Sequence, residues 1–285
     1  MAFNLLNRDP GQEEMSFIDH LEALRWHIVR SAIAVVIVAI VIFIKMDWLF
    51  ETVIRGPIRP DFVSYVGLCN LGRRLHMGDA LCLQSVTGLK LQTTQFSSQF
   101  ISSINIAITG GFIVAFPYIF WELWRFIKPA LSPKELKSSR GAIFWVTFFF
   151  MLGVAFGYFL LAPFTFSFLA NYTLGAPGAI MTIPTLDDYI ENLVDIIIGS
   201  GIAFQLPLVS WVLTRIGLIT PNFLRTYRKY AYVAILFIAA VITPSPDWMS
   251  QTIVALPLIL LYEISIRISV RVTKEQDRKD KEEWS

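Results

Sequence analysis

Residues 121–135 read WELWRFIKPALSPKE, a short polar stretch between two long apolar runs, and its reading decides the fold. If the runs are helices in lipid, the stretch is a loop at a membrane surface. Trp121, Trp124 and Phe126 suit that position, because an aromatic ring at headgroup depth keeps one side apolar and one side wet. Pro129 and Pro133 break the helix and fix the path of the chain. The stretch closes on a carboxylate, Glu135, among Arg125, Lys128, Lys134 and Lys137. A short cytoplasmic loop is expected to be basic, so a carboxylate kept there asks for a partner.

Composition makes the membrane reading hard to avoid. Of the 285 residues, 55% are hydrophobic and only 16% charged, which excludes an ordinary soluble domain. Six apolar segments stand out, at 28–44, 100–120, 142–161, 196–213, 230–242 and 249–266. Most reach the ~17–25 residues needed to cross a bilayer as helices. The fifth does not, since so short a run at ~1.5 Å per residue covers ~20 Å of a ~30 Å hydrocarbon core. Lys and Arg alternate by side, with 18 in the connections that share a side with both termini and 6 in the others. The positive-inside rule then places both termini in the cytoplasm.

The expected architecture is an all-α membrane protein of six transmembrane helices with N-in/C-in topology. Residues 1–27 form a cytoplasmic amphipathic segment, 28–270 the membrane domain with a long periplasmic loop at about 51–95, and 271–285 a charged cytoplasmic tail. Pro117, Pro163, Pro207 and Pro257 fall in or near the ends of spans, and each removes a backbone donor, so a kinked, concave bundle is expected. No cleavable signal peptide is expected before the first span, which serves as the targeting signal. Cys69 and Cys82, the only cysteines, both lie in the first periplasmic loop and suit a disulfide in an oxidising compartment, with free thiols as the alternative.

Residues 15–30, MSFIDHLEALRWHIVR, carry Phe17, Ile18, Leu21, Leu24 and Ile28 at helical spacing and read as an amphipathic helix entering the first span. Glu22 and Arg25 on its polar side are i,i+3 neighbours. Glu22 and Glu135 thus face one aqueous edge, and paired carboxylates there suit a guanidinium, which offers a planar fork of donors. The plainer alternative is pairing with Arg25, Lys134 or Lys137. In the fourth span Asp187, Glu191 and Asp195 recur every four residues, equally consistent with favourable acids in a first turn. Gln205, deeper and two residues before Pro207, is expected to face protein or a wet cavity.

Other classes fit poorly. No G-x-x-x-x-G-K-[ST] loop is present to cradle a nucleotide. His20, His27 and His76 share no metal-ligand spacing with the cysteines, and Ser200 has no intramembrane base, so neither a cofactor nor an intramembrane enzyme is expected. A solute transporter would show an internal repeat, and none is seen. Arg73 and Arg74 do not make a nucleic-acid surface.

Four motifs in order resemble the TatC family, the multi-spanning component of the twin-arginine protein translocase. HLEALR at 20–25 is similar to the family's N-terminal HLEELR, Pro57 to the proline after the first span, FIKPALSPKE at 126–135 to the first cytoplasmic loop, and TPSPDWMSQ at 243–251 to the turn before the sixth span. The resemblance implies a non-catalytic receptor in the bacterial inner membrane, without cofactor. It implies that Glu135 binds the arginine pair of signal peptides on folded cargo, with Phe126 and the signature residues His20, Leu21, Glu22 and Arg25. It further implies single-span partners of the TatA and TatB types, self-association in a receptor complex, energy from the proton gradient, and intramembrane or partner-helix roles for Gln205, Pro57, Asp247 and Gln251. This sequence departs at Ala23 and Gln205, where family members carry glutamate, and the basic loop at 221–229 offers no further carboxylate.

Overall fold

A computed structural model describes residues 17–74, 76, 82, 90–128, 141–172, 183–243 and 248–283. Among the described residues the chain is helical, with one isolated bridge between Gln92 and Thr185. The main elements are α1 (Phe17–Ile44), α2 (Val63–Arg74), α3 (Ser98–Ile127), α4 (Ala142–Phe156), α5 (Ala162–Asn171), α6 (Leu186–Ala203), α7 (Leu206–Arg215), α8 (Arg228–Ile242) and α9 (Trp248–Glu283). A wide turn over Gly157–Leu161 joins α4 to α5, and a two-residue break joins α6 to α7. Among the described residues five stretches are long and apolar enough to cross a membrane: Glu22–Ile44, Ser98–Ile127, Ile143–Asn171, Leu186–Arg215 and Gln251–Arg278. The fifth expected span, α8, is a helix of 15 residues, about 22 Å long, short of the ~30 Å hydrocarbon core.

The helices are longer than the apolar runs that announce them. The fourth begins at Leu186, where Thr185 caps it by accepting from the Asp188 amide at 3.2 Å. Its acids therefore lie in the first turns: Asp187 accepts from the Ser102 hydroxyl at 2.8 Å, while Glu191 and Asp195 are exposed. α9 continues to Glu283, through the stretch expected to be a separate tail, and packs at least as far as Gln276, whose side-chain amide donates to the Arg215 carbonyl. Pro207 and Pro163 sit just after breaks, whereas Pro117 and Pro257 lie inside α3 and α9. α7 stops where Gly217 takes a φ of +77°, a left-handed turn that suits glycine.

α6 is central, burying Leu186, Tyr189, Ile190, Leu193 and Ile196 along one stripe against α3, α4 and α8. Its contact with α4 is a glycine seam. A Cβ on Gly153 would lie 2.6 Å from the Ser200 carbonyl oxygen, and one on Gly157 would lie 2.9 Å from that of Ile196, so only hydrogen allows these backbones together. α7 and α8 pack on α9, and Glu263 of α9 holds α8 by accepting from Arg228 at 2.9 Å and Tyr232 at 2.6 Å. α1 packs mainly along α3, closely where Gly111 meets Val35 and Ala39, and exposes Ile33, Ile37, Ile40 and Val41.

Two ends of this bundle differ. One, the basic end, gathers the starts of α1, α4 and α8 with the ends of α3, α7 and α9. The other, the loop end, carries the segment after α1. There the chain turns through Phe50–Ile54 and Gly56–Ile58 into α2, whose Cys69 is disulfide-bonded to Cys82. Turning frees backbone carbonyls, and tyrosines satisfy them: Tyr158 donates to Val53 at 2.7 Å and Tyr189 to Ile54 at 2.5 Å. Tyr65 of α2, itself buried, donates to the carbonyls of Pro57 and Pro163 at 2.9 and 3.2 Å. Burial pushes its phenol up to about 12.

Gly153→Ala is expected to lower stability in detergent by about 1–3 kcal/mol through forced separation of α4 and α6. Gly67→Ala, where an added Cβ meets nothing, is expected to leave the thermal midpoint unchanged or raise it. Tyr65→Phe removes two hydrogen bonds and is expected to destabilise by about 1–3 kcal/mol at neutral pH. A phenol pKa raised on folding contributes below the unfolded value near 10 and is lost as pH climbs through the folded value. The stability gap between wild type and Tyr65→Phe should thus hold steady up to pH 10 and close towards 12, as followed by thermal unfolding across pH.

Candidate functional site

Antiparallel packing of α1 on α3 brings the start of the first helix beside the end of the second, at the basic end. The contact is polar. His27 Nδ1 lies 2.5 Å from a carboxylate oxygen of Glu122, and the Tyr118 hydroxyl donates to the other carboxylate oxygen at 3.0 Å. Arg125 approaches to 3.6 Å. Glu122 is only 1% exposed, and the His27 side chain 18%. A buried carboxylate is retained only where donors surround it, and here a histidine, a phenol and a guanidinium do so. Tyr118, Glu122 and Arg125 share one face of α3 at i, i+4 and i+7, so a single helix supplies the acid and two of its partners.

The aromatic part of the site follows from the same packing. The His27 and Phe126 rings meet edge to face with centroids 6.1 Å apart, and Arg125 lies over the Trp121 ring at 4.9 Å. Phe126 therefore sits against the helix that carries the HLEALR segment. Glu22 and Arg25 pair with each other at 3.3 Å on the exposed side of α1, and the Arg25 guanidinium also lies 5.7 Å from the Trp26 ring centroid. His20 and Leu21 belong to α1, with side chains outside the described set, and Glu135 and Asp247 lie outside the described residues.

The remaining expected positions are away from this cluster. Gln205 stands at the break between α6 and α7; its amide donates to the Val146 carbonyl of α4 at 3.2 Å, while its own oxygen is buried without a partner. Gln251 near the start of α9 donates to the Leu236 carbonyl of α8 at 3.0 Å. Pro57 is buried under Tyr65 at the loop end. No group of three metal-ligating side chains forms among the described residues.

Glu122 and His27 were not among the sequence candidates. The signal was available, because an acid inside a 30-residue apolar helix is costly unless partnered. It was masked by the neighbouring tryptophans, which made the same residues read as interface anchors.

The site and fold can be set beside known proteins. Residues 19–257 match the family model described as Sec-independent protein translocase protein (TatC). A protein of that name from Blattabacterium sp. subsp. Periplaneta americana is 40% identical over 93% of this chain and 98% of its own length. One from Deinococcus radiodurans is 32% identical over 94% of this chain and 92% of its own. A crystal structure described as the twin arginine translocase receptor TatC superposes with a TM-score of 0.67 at 32% identity, covering 89% of this chain and 99% of that one.

His27→Ala strips a partner from the buried Glu122 carboxylate and is expected to cost about 1–3 kcal/mol, with Glu122→Ala costing a similar amount. Because the two side chains act through one contact, the double substitution should cost clearly less than the sum. A double-mutant cycle from chemical unfolding in detergent reads this coupling; additive costs would show that the contact does not join α1 to α3.

Proposed function

We propose, from the premise that the chain belongs to the TatC family of the twin-arginine translocase, that it is the receptor and scaffold of that translocase and binds the arginine pair of signal peptides at its basic end. The observation that carries this reading is the joining of α1 to α3 through His27 and Glu122, which sets Phe126 beside the HLEALR helix. FIKPALSPKE starts at Phe126, and this reading takes its terminal carboxylate, Glu135, which lies outside the described residues, as the second acid of the edge that carries Glu22. Two acids on one aqueous edge suit guanidinium better than ammonium, because a carboxylate accepts two parallel N–H donors from one guanidinium. His20, Leu21, Arg25 and Phe126 complete the surface. Glu122, already enclosed by three partners, holds the two helices in register rather than receiving the peptide.

The same reading takes all six apolar segments, α8 included, as spans of a kinked, concave bundle with both termini in the cytoplasm of a bacterium and the Cys69–Cys82 disulfide in the periplasm. The 18-to-6 split of basic residues supports that orientation. Residues 1–27, 28–270 and 271–285 are then the entry segment, the membrane domain and the cytoplasmic end. TatA-type and TatB-type single-span proteins and further copies of the chain assemble against the bundle, with Gln205, Pro57, Asp247 and Gln251 helping to shape the docking faces. Export draws on the proton gradient, and the chain performs no covalent chemistry.

A labelled peptide carrying Arg-Arg, and its Lys-Lys counterpart, should be titrated onto purified wild type and Glu135→Gln. Wild type is expected to favour Arg-Arg by about tenfold, the ratio that 1.4 kcal/mol supplies, and Glu135→Gln to lose that preference without a change in thermal midpoint. Equal binding of the two peptides by wild type would count against the site.

A further inference from the structure

At the basic end α4, α7 and α9 enclose a cleft of about 500 Å³ whose lining includes neither His27 nor Glu122. Its walls are apolar and aromatic, with Trp145 and Phe149 from α4, Leu208 and Trp211 from α7, and two cations, Arg215 and Arg271, at its mouth. The Arg215 guanidinium lies 5.5 Å from the Trp211 ring centroid, yet its Nε is buried without any hydrogen-bond partner. That nitrogen is closed off by protein, whereas the Arg215 and Arg271 side chains both line the cleft and offer their charge to an acceptor within it. Neither Arg215 nor Arg271 has an ion pair among the described residues.

Arg215 is held in this position by its neighbours. The Thr214 hydroxyl donates to the Ser269 hydroxyl at 2.8 Å in a buried contact, and Gln276 donates to the Arg215 carbonyl, so the end of α7 is fixed on α9 before any ligand arrives. Glu275 is the acid of the cleft lining, set against the two guanidiniums, so the lining carries one net positive charge. A phosphodiester carries one negative charge, and guanidiniums bind its oxygens in paired contacts. Cations in the lining together with aromatic and apolar walls match a ligand whose charged head sits at the membrane surface and whose tail enters hydrocarbon.

We infer that this cleft binds one anionic glycerophospholipid, its phosphodiester on Arg215 and Arg271 and an acyl chain along Phe149 and Leu208. The assignment rests on the reading of the long helices as membrane spans and is independent of signal-peptide recognition. Free phosphate is a poorer fit because it makes no use of the apolar walls.

The purified full chain, stripped of lipid, is exposed to dioleoyl phosphatidylglycerol or dioleoyl phosphatidylcholine, and retained lipid is counted by native mass spectrometry alongside the thermal midpoint. Wild type is expected to retain phosphatidylglycerol about tenfold better than phosphatidylcholine. Arg215→Gln/Arg271→Gln is expected to lose the preference, and Arg215→Lys/Arg271→Lys to keep part of it. Arg271→Gln alone, on an exposed side chain with no ion pair among the described residues, is expected to weaken the preference with the lipid-free midpoint unchanged, which separates lost binding from lost folding. Equal retention of the two lipids by wild type, or an undiminished preference in the double glutamine variant, would overturn the site. Inorganic phosphate raising the midpoint as much as phosphatidylglycerol would replace the lipid with a free anion and equally overturn the inference.

Discussion

Hydrocarbon offers no hydrogen bonds, so a backbone carbonyl released by a broken helix must find a donor within the protein. Much of the architecture follows from that constraint. At the loop end Tyr158, Tyr189 and Tyr65 donate to Val53, Ile54, Pro57 and Pro163. Pro163 cannot donate to the Phe159 carbonyl, and the Ser64 hydroxyl of α2 takes its place. Gln205, Gln251, Gln276 and Tyr262 each donate to a carbonyl of a neighbouring helix, at Val146, Leu236, Arg215 and Leu224. The bonds to Arg215 and Leu224 reach helix ends and so cap as well as cross-link, whereas those to Val146 and Leu236 reach carbonyls within helices and act as cross-links.

The basic end follows a related logic with charge in place of amide dipoles. α1 contributes little buried apolar surface, since most of its large side chains are exposed and its packing is mainly against α3. Its position is fixed by the close approach at Gly111 and Ala39 and by the enclosed Glu122 at one end. Enclosing a carboxylate is favourable only with its partners in place, so the contact is specific in register in a way that apolar packing is not. Receptor recognition, as proposed, depends on that register, because this contact sets Phe126, where FIKPALSPKE starts, against the helix that carries HLEALR.

Sequence alone made the helices legible, because runs of apolar residues leave few alternatives, and it gave the shortness of α8 directly. Apolar runs alone mark helix ends poorly: α6 starts ten residues before its run, where the acids Asp187, Glu191 and Asp195 were the better guide, and α9 continues as a helix into the charged tail. The adjacent cap Thr185 and the distant Ser102 fix the first of these ends, and Arg215, 61 positions from Gln276, holds the other. Gln205 was legible as a polar group facing protein, and its amide indeed reaches Val146. Glu122 was not, because its defining partner, His27, is 95 positions away, and no local pattern announces a pair so distant.

The glycine seam between α4 and α6 has a mechanical consequence. Sliding either helix by one residue would drive a side chain into a carbonyl oxygen already near contact at Gly153 or Gly157. Shear at this seam is therefore blocked, and the two helices translate and rotate as one rigid body.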